Sequence, residues 1–180
     1  MNKAEFDHAI RAAGSIIGEM ELLVIGSQAA HGSIRGELPP EAMRSIEVDR
    51  MAAFNDPDSA KSDLIDGSIG EASMFHMAFG FYVEGVSETT ATVPEGWRDR
   101  LVRYETPATS GVVGWCLDLH DLWIAKAVAG RPKDVEYCRA FLTRGLVDAD
   151  ILRQRLAETT GLVDAVRDSV LTQIATSSDS

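Results

Sequence analysis

Apolar residues recur along the first third of the chain with two periods, and these periods predict its elements. Residues 3–19 carry apolar side chains at helical spacing, which predicts an amphipathic helix. The run ELLVIG at 21–26 is short, apolar and ends at a glycine, as a buried strand does. A second helix is predicted from Ser27 to about Ile34, followed by a loop at 36–40. Alternation of apolar and acidic residues in SIEVDR predicts a half-buried strand at 45–50.

Further along, the pattern predicts helix over 58–77 with interruptions at Gly67 and Gly70, then strands, then helices alone. The strands are predicted at 79–86, 100–106 and 111–119, with a turn at 94–96 joining the first two and the third strand central in the sheet. The helices are predicted at 120–129, 133–144, 148–158 and 161–174. This order predicts an α/β (α+β) fold, in which helices flank a mixed sheet. We expect a core at 1–119, a helical part packed on it at 120–174 and a flexible tail at 175–180.

Composition changes this picture in only a few respects. The 180 residues carry a net charge of −11, which argues against broad, sequence-independent binding of nucleic acid. Between His120 and Arg155, however, seven basic residues accompany five acidic ones, so a polyanion would bind in this segment. No apolar run approaches the ~18 residues that cross a bilayer, and the first ten residues lack the apolar core of a signal peptide. We therefore expect a cytoplasmic protein without a membrane partner.

Two acidic residues, Glu47 and Asp49, lie two apart on the predicted strand at 45–50. Side chains at such positions point to one face, so the two carboxylates would converge and repel each other unless a cation or a proton intervenes. Oxygen ligands of this kind suit Mg²⁺ or Mn²⁺. The alternative is a solvated strand face.

Gly26 and Ser27 lie between a predicted strand and a predicted helix. A glycine there lets a phosphate approach the backbone, where the helix amides and dipole stabilise its charge. The Ser27 hydroxyl can donate a further hydrogen bond. The alternative is an ordinary serine cap after a tight turn.

A second candidate motif is HDLWIAKAVAGRPKDVEYCRAFL at 120–142. Lys126 lies among apolar residues of a predicted helix, so it either extends to solvent or points at an anionic site such as a triphosphate. The next helix opens with Asp134 in its first turn, where the helix dipole favours an acid.

The order strand, Gly-Ser, helix, loop, strand, acid-x-acid resembles the nucleotidyltransferase superfamily, the fold of DNA polymerase beta and kanamycin nucleotidyltransferase. The resemblance implies that the Gly26-Ser27 turn holds a nucleoside triphosphate and that Glu47 and Asp49 hold the metal. The superfamily usually has aspartate where this chain has Glu47.

A third metal-binding carboxylate usually comes from a neighbouring strand in this superfamily. Glu84 in FYVEGV is the candidate, because its strand follows the acidic pair in the sequence. Asp118 in CLDLHDL is the competitor.

The stretch at 120–142 narrows the resemblance. It is similar to the D-L-x-x-x-K-x-x-A-G-R-x-K-D stretch of bacterial AbiEii-type nucleotidyltransferase-like proteins, which include toxins of toxin–antitoxin systems. The similarity extends over roughly residues 20–145. It implies that Lys126 and Arg131 contact the nucleotide phosphates, and that Asp134 orients or deprotonates the acceptor.

The implied activity is Mg²⁺-dependent transfer of a nucleoside monophosphate to tRNA or protein, by a toxin that has a cognate antitoxin. Two alternatives remain open. A binding protein of the same fold without turnover, such as an antitoxin, is favoured by Glu47 and the acidic balance. A nucleotidyltransferase that modifies a small antibiotic would use the negative surface to attract a cationic substrate.

Overall fold

A mixed β-sheet lies at the centre of the molecule. The computed structural model describes residues 1–43 and 49–178, with the backbone alone at Asp49, Ser177 and Ser178. Within this part the sheet has five strands: β1 (Glu21–Val24), β2 (Asp49–Ala52), β3 (Val83–Gly85), β4 (Val102–Tyr104) and β5 (Val113–Cys116). Their order is β3-β2-β1-β5-β4. β1 runs parallel to β5 and β2 runs parallel to β3, while the β1–β2 and β4–β5 pairs are antiparallel.

Helices precede, interrupt and follow these strands. Within the described residues they are α1 (Lys3–Ile17), α2 (Ala30–Ser33), α3 (Pro40–Met43), α4 (Ala60–Ile69), α5 (Met74–Phe79), α6 (Leu119–Ala129), α7 (Pro132–Thr143), α8 (Ala149–Ala157) and α9 (Asp164–Ser178). The predicted α+β class, with a mixed sheet and a helical C-terminal part, is confirmed. No helix in the described ranges is long and apolar enough to cross a membrane.

Helix α1 begins at a capping box and packs against the sheet. The Asn2 side chain accepts a hydrogen bond from the backbone N–H of Glu5, and the Glu5 carboxylate accepts one from the backbone of Asn2. The helix buries Phe6 and Ile10 completely. Gly114 of β5 makes room for this packing, because a β-carbon there would lie 2.8 Å from Ile10 Cδ1.

One continuous apolar core joins the sheet to the C-terminal helices. Trp123 of α6 is fully buried, and its indole N–H donates a hydrogen bond of 2.9 Å to the carbonyl of Cys138 on α7. Next to it the rings of Tyr137 and Phe141 stack with centroids 4.0 Å apart. The proposed boundary at residues 119 and 120 therefore crosses a shared core, and the division into two parts stays a prediction.

Some predicted elements differ from the observed ones. The predicted strand at 79–86 shortens to β3, because α5 extends to Phe79. The turn at 94–96 does not join a hairpin, since β3 and β4 lie at opposite edges of the sheet. A short helix, α3, begins at Pro40, and α9 extends to Ser178. The predicted strand at 45–50 is described only from Asp49, and residues 44–48 lie outside the described part.

Gly85 allows α4 to pass directly over β3. A β-carbon at Gly85 would lie 1.8 Å from the backbone oxygen of Ser62, which cannot rotate away as a side chain could. The Ser62 hydroxyl also donates a hydrogen bond of 2.8 Å to the carbonyl of Val86, so helix and strand are held at this distance. Close approach of two backbones therefore requires glycine here.

We expect Gly85→Ala to lower the free energy of unfolding by roughly 1–3 kcal/mol, as overpacking in a filled core does. Urea denaturation followed by circular dichroism measures this change. Gly67→Ala is the matched control, because a β-carbon at this α4 position meets nothing within 4 Å. It should instead stabilise the helix by about 0.5–1 kcal/mol. Equal effects of the two substitutions would contradict the close contact.

Candidate functional site

An open cavity of about 630 Å³ lies between the end of β1, strand β3 and helix α6. This volume is within the range of small-molecule binding sites. Its walls include Gly26, Ser27, Glu84, Lys126 and Arg131. These five residues come from distant parts of the chain, and each was a candidate from the sequence. The fold brings them to one place.

Gly26 and Ser27 form the turn after β1. The backbone of Gly26 is extended, and Ser27 opens a short 3-10 turn that leads into the single turn of α2. The helix predicted over 27–34 is therefore shorter and less regular than expected. Since the helix dipole effect needs aligned peptide units, a phosphate at this turn would depend more on neighbouring cations than on α2.

Lys126 supplies a cation at this turn. Its Nζ donates hydrogen bonds to Ser27 Oγ at 2.9 Å and to Asp134 Oδ1 at 3.3 Å, and lies 4.7 Å from the ring centroid of Tyr137. Only 9% of the residue is exposed, so Lys126 does not extend to bulk solvent but lines the cavity. Burial lowers the pKa of Lys126, and the charge of Asp134 opposes that shift.

Asp134 holds two cations at once. Its Oδ1 accepts from Lys126, and its Oδ2 accepts from Arg131 Nε at 2.6 Å. The residue is 1% exposed and is not part of the cavity wall. Burial raises the pKa of Asp134, but the hydrogen bond from Arg131 and the charge of Lys126 outweigh it and bring the pKa below its ordinary value. Through these two contacts Asp134 fixes the positions of Lys126 and Arg131.

Glu84 and Asp118, the two candidates for the third metal-binding carboxylate, have different surroundings. Glu84 faces the cavity, and its Oε2 accepts a hydrogen bond of 2.9 Å from Arg50 Nε. The two residues lie opposite each other in the β2–β3 pair. Asp118 instead caps α6, where it accepts from the backbone N–H groups of His120 and Asp121. Glu84 is thus the candidate that reaches the cavity.

The side chains of the acidic pair, Glu47 and Asp49, lie outside the described part of the structure. Glu47 lies in the undescribed segment, and Asp49 is described by its backbone in β2. Among residues 1–43 and 49–178, no group of three or more His, Cys, Asp or Glu side chains is placed to hold a metal ion. The metal site therefore stays a prediction.

Comparison with protein families gives a match over residues 5–176, to the family described as nucleotidyltransferase of unknown function (DUF6036). The chain belongs to this nucleotidyltransferase family. The match includes both the Gly26-Ser27 turn and the Lys126–Asp134 segment, and it confirms the superfamily that these motifs indicated. The finer resemblance to AbiEii-type proteins stays a prediction. Neither the comparison with curated proteins nor that with solved structures gives a significant match.

Some residues of the cavity were not singled out from the sequence. Arg50, Tyr82 and Lys133 also line it. The position of Arg50, directly after the acidic pair, was the available signal for its place in the site. With Lys126 and Arg131 included, the described part of the cavity wall carries four basic residues against the three acidic residues Asp66, Glu71 and Glu84, although the whole chain has a net charge of −11. Such a local excess suits a polyphosphate.

Proposed function

We propose that this protein transfers a nucleoside monophosphate from a nucleoside triphosphate to an acceptor hydroxyl in the cavity described above. The observation that carries the proposal is the hydrogen bond between Lys126 Nζ and Ser27 Oγ in a nucleotidyltransferase family member. It brings a buried ammonium group to the Gly-Ser turn, where the superfamily resemblance implies a triphosphate.

In this reaction the acceptor oxygen attacks the α-phosphorus, a new P–O bond forms, and pyrophosphate leaves with the electrons of the broken bond. Negative charge spreads over the phosphate oxygens, so catalysis depends on positioning and on neutralisation of charge. Lys126 and Arg131 would neutralise the phosphates. The backbone of Gly26 would allow their close approach, and Ser27 would hold Lys126 in place.

Asp134 would act as a positioning residue. It is buried, it binds both Lys126 and Arg131, and its lowered pKa makes it a weak proton acceptor. Of the two roles implied by resemblance, these contacts disfavour deprotonation of the acceptor. They would instead orient the two cations that contact the phosphates.

Glu47, Asp49 and Glu84 would hold Mg²⁺ or Mn²⁺. Glu84 lines the cavity, and its carboxylate, which accepts a hydrogen bond from Arg50, is the type of oxygen ligand that these cations take. When bound, the metal would supply positive charge to the triphosphate oxygens.

For the acceptor, the AbiEii-type resemblance favours tRNA or protein, with the chain as the toxin of a toxin–antitoxin pair. The stretch that carries this resemblance, residues 120–142, contributes Lys126, Arg131 and Lys133 to the cavity wall. A tRNA acceptor would find its cationic contacts along this wall.

The experiment offers each common ribonucleoside triphosphate, labelled at the α-phosphate, with bulk tRNA or with the protein itself, and with Mg²⁺ or Mn²⁺. We expect label in tRNA or protein with the wild type, and a loss of roughly 100-fold or more with Asp49→Asn, as removal of a metal ligand produces. Asp58→Asn, a change of the same kind at an exposed loop position, should transfer like the wild type. Binding of triphosphate without transfer under all conditions would instead identify a non-catalytic binding protein.

A further inference from the structure

The outer face of α5 is apolar and exposed. Met74 is 76% exposed and Met77 is 69% exposed, and α5 has no buried residue. Met74 and Met77 are three residues apart and therefore lie on one side of the helix. We call Met74 and Met77 the methionine surface. Phe79 lies on the other side of the helix with Phe75, where its ring packs against those of His8 and Phe75 with centroids 4.5 and 4.7 Å apart. Apolar side chains concentrated in this way mark interaction sites more often than inert surface.

The helix that carries the methionine surface is anchored on its inner side. Ser73 caps it, since its hydroxyl accepts from the backbone N–H of His76. The ring of Phe75 packs against His8 and Phe81, each with centroids 5.1 Å apart. Because these contacts fix one side of α5, the opposite side is presented in a defined orientation.

The surroundings of the methionine surface are strongly acidic. Between Asp56 and Glu95 the chain has eight acidic residues and one basic residue, Lys61, whose ammonium is paired with Glu19. On α4 and in the turn before α5, Asp63, Asp66 and Glu71 are exposed. Glu84 and Glu88 are paired with Arg50 and Arg98. A partner would therefore meet apolar side chains beside the other, exposed carboxylates.

Exposed apolar side chains next to acidic ones limit which binding partners fit this surface. A second copy of the chain, docked through the same face, would place acids against acids. Nucleic acid and anionic lipid are disfavoured on α5 by the same charges, whereas the contacts proposed for tRNA lie on the basic residues 126–133 of the cavity wall. A basic amphipathic helix meets both requirements, since its apolar side can pack on flexible methionine side chains while its lysines or arginines pair with the acids. We propose that the methionine surface binds a basic amphipathic helix of another protein.

The proposed binding surface borders the cavity. Asp66 and Glu71 belong to the cavity wall, and so does Tyr82, whose ring lies 4.7 Å from the ring of His76 on α5. A helix bound on α5 would thus lie beside the entrance used by a substrate. Binding there does not depend on transfer activity, so the surface can be tested separately from the reaction.

The test uses a fluorescent peptide of about 14 residues, a common helix length, in which leucines form one helical face and lysines the other. Titrated with the whole protein, its fluorescence anisotropy should rise with a dissociation constant in the micromolar range. The double variant M74Q/M77Q should bind roughly 10-fold more weakly, because two exposed apolar contacts are removed. Val163→Gln, at another exposed apolar position, should bind like the wild type.

Further variants and peptides distinguish binding at a specific site from non-specific electrostatic attraction. The double variant D63N/E71Q should weaken binding and reduce its dependence on salt. A peptide with glutamate in place of lysine should not bind. Equal binding of M74Q/M77Q and the wild type would overturn the proposal. Equal binding of a scrambled lysine–leucine peptide without an apolar face would overturn it as well.

Discussion

Replacing Lys126 with methionine should reduce nucleotide transfer by roughly 100- to 1,000-fold, the loss that follows removal of one preorganised charge-stabilising group. The ammonium of Lys126 touches Ser27 Oγ and faces the cavity, so its loss leaves the phosphates without a buried cation. Methionine keeps the apolar stem, and Asp134 keeps its partner Arg131. The initial rate of label transfer measures the effect, and calorimetric titration with triphosphate measures the accompanying loss of affinity.

Lys133→Met is the matched control for this substitution. Lys133 also lines the cavity, but it is exposed in the first turn of α7. Since water screens an exposed charge, we expect a loss of less than about 10-fold. Unfolding in urea should show that both variants remain folded. Transfer by Lys126→Met at a rate close to that of the wild type would exclude Lys126 from the proposed role.

Asp121→Ala should lower the free energy of unfolding by about 3–5 kcal/mol, the loss expected when one member of a buried ionic network is removed. Asp121 is completely buried at the start of α6, where it accepts two hydrogen bonds from Arg100, at 2.9 and 3.2 Å. Arg155 Nε of α8 lies 3.2 Å from the same carboxylate. Burial raises the pKa of Asp121, and the bonds from Arg100 oppose that shift. Removal of the carboxylate leaves two guanidinium groups facing each other.

Urea denaturation monitored by circular dichroism measures this loss. Asp150→Ala removes the carboxylate of an exposed pair with Arg153, in which the Asp150 side chain is 93% exposed. It should change stability by less than about 0.5 kcal/mol. Asp121→Asn keeps part of the hydrogen bonding and should give a smaller loss than alanine, which leaves a measurable variant if alanine prevents folding. Similar effects at positions 121 and 150 would contradict the role of the network.

The candidate site residues that could be predicted from the sequence are those that are unusual within their own segment. Gly26 and Ser27 stand at a strand-to-helix change, and Lys126 is a charge inside an apolar helix, so each is unusual within its own segment. Glu84 could be proposed because its strand follows the acidic pair. The cavity brings these residues together.

Features that depend on how distant segments pair were not predictable in the same way. The contact between Arg50 and Glu84 depends on the register of β2 and β3, and alternation within one strand carries no information on its neighbour. The opposite positions of β3 and β4 depend on the order of the whole sheet. The boundary after α5 was misplaced, because Phe79 was predicted to begin a strand and instead ends the helix. A short apolar run gives nearly the same signal for a buried helix and a buried strand.

The parallel pairing of β1 with β5 has a consequence for how the chain folds. Residues 21–24 lie next to residues 113–116, so the centre of the sheet can close only after the long intervening segment has been synthesised. Pairings of such long sequence separation slow folding, because the entropy of closing the loop is lost before the contact forms. Until then one edge of β1 is uncovered, and such an edge readily pairs with another chain. Fragments that end before β5 should therefore aggregate rather than fold.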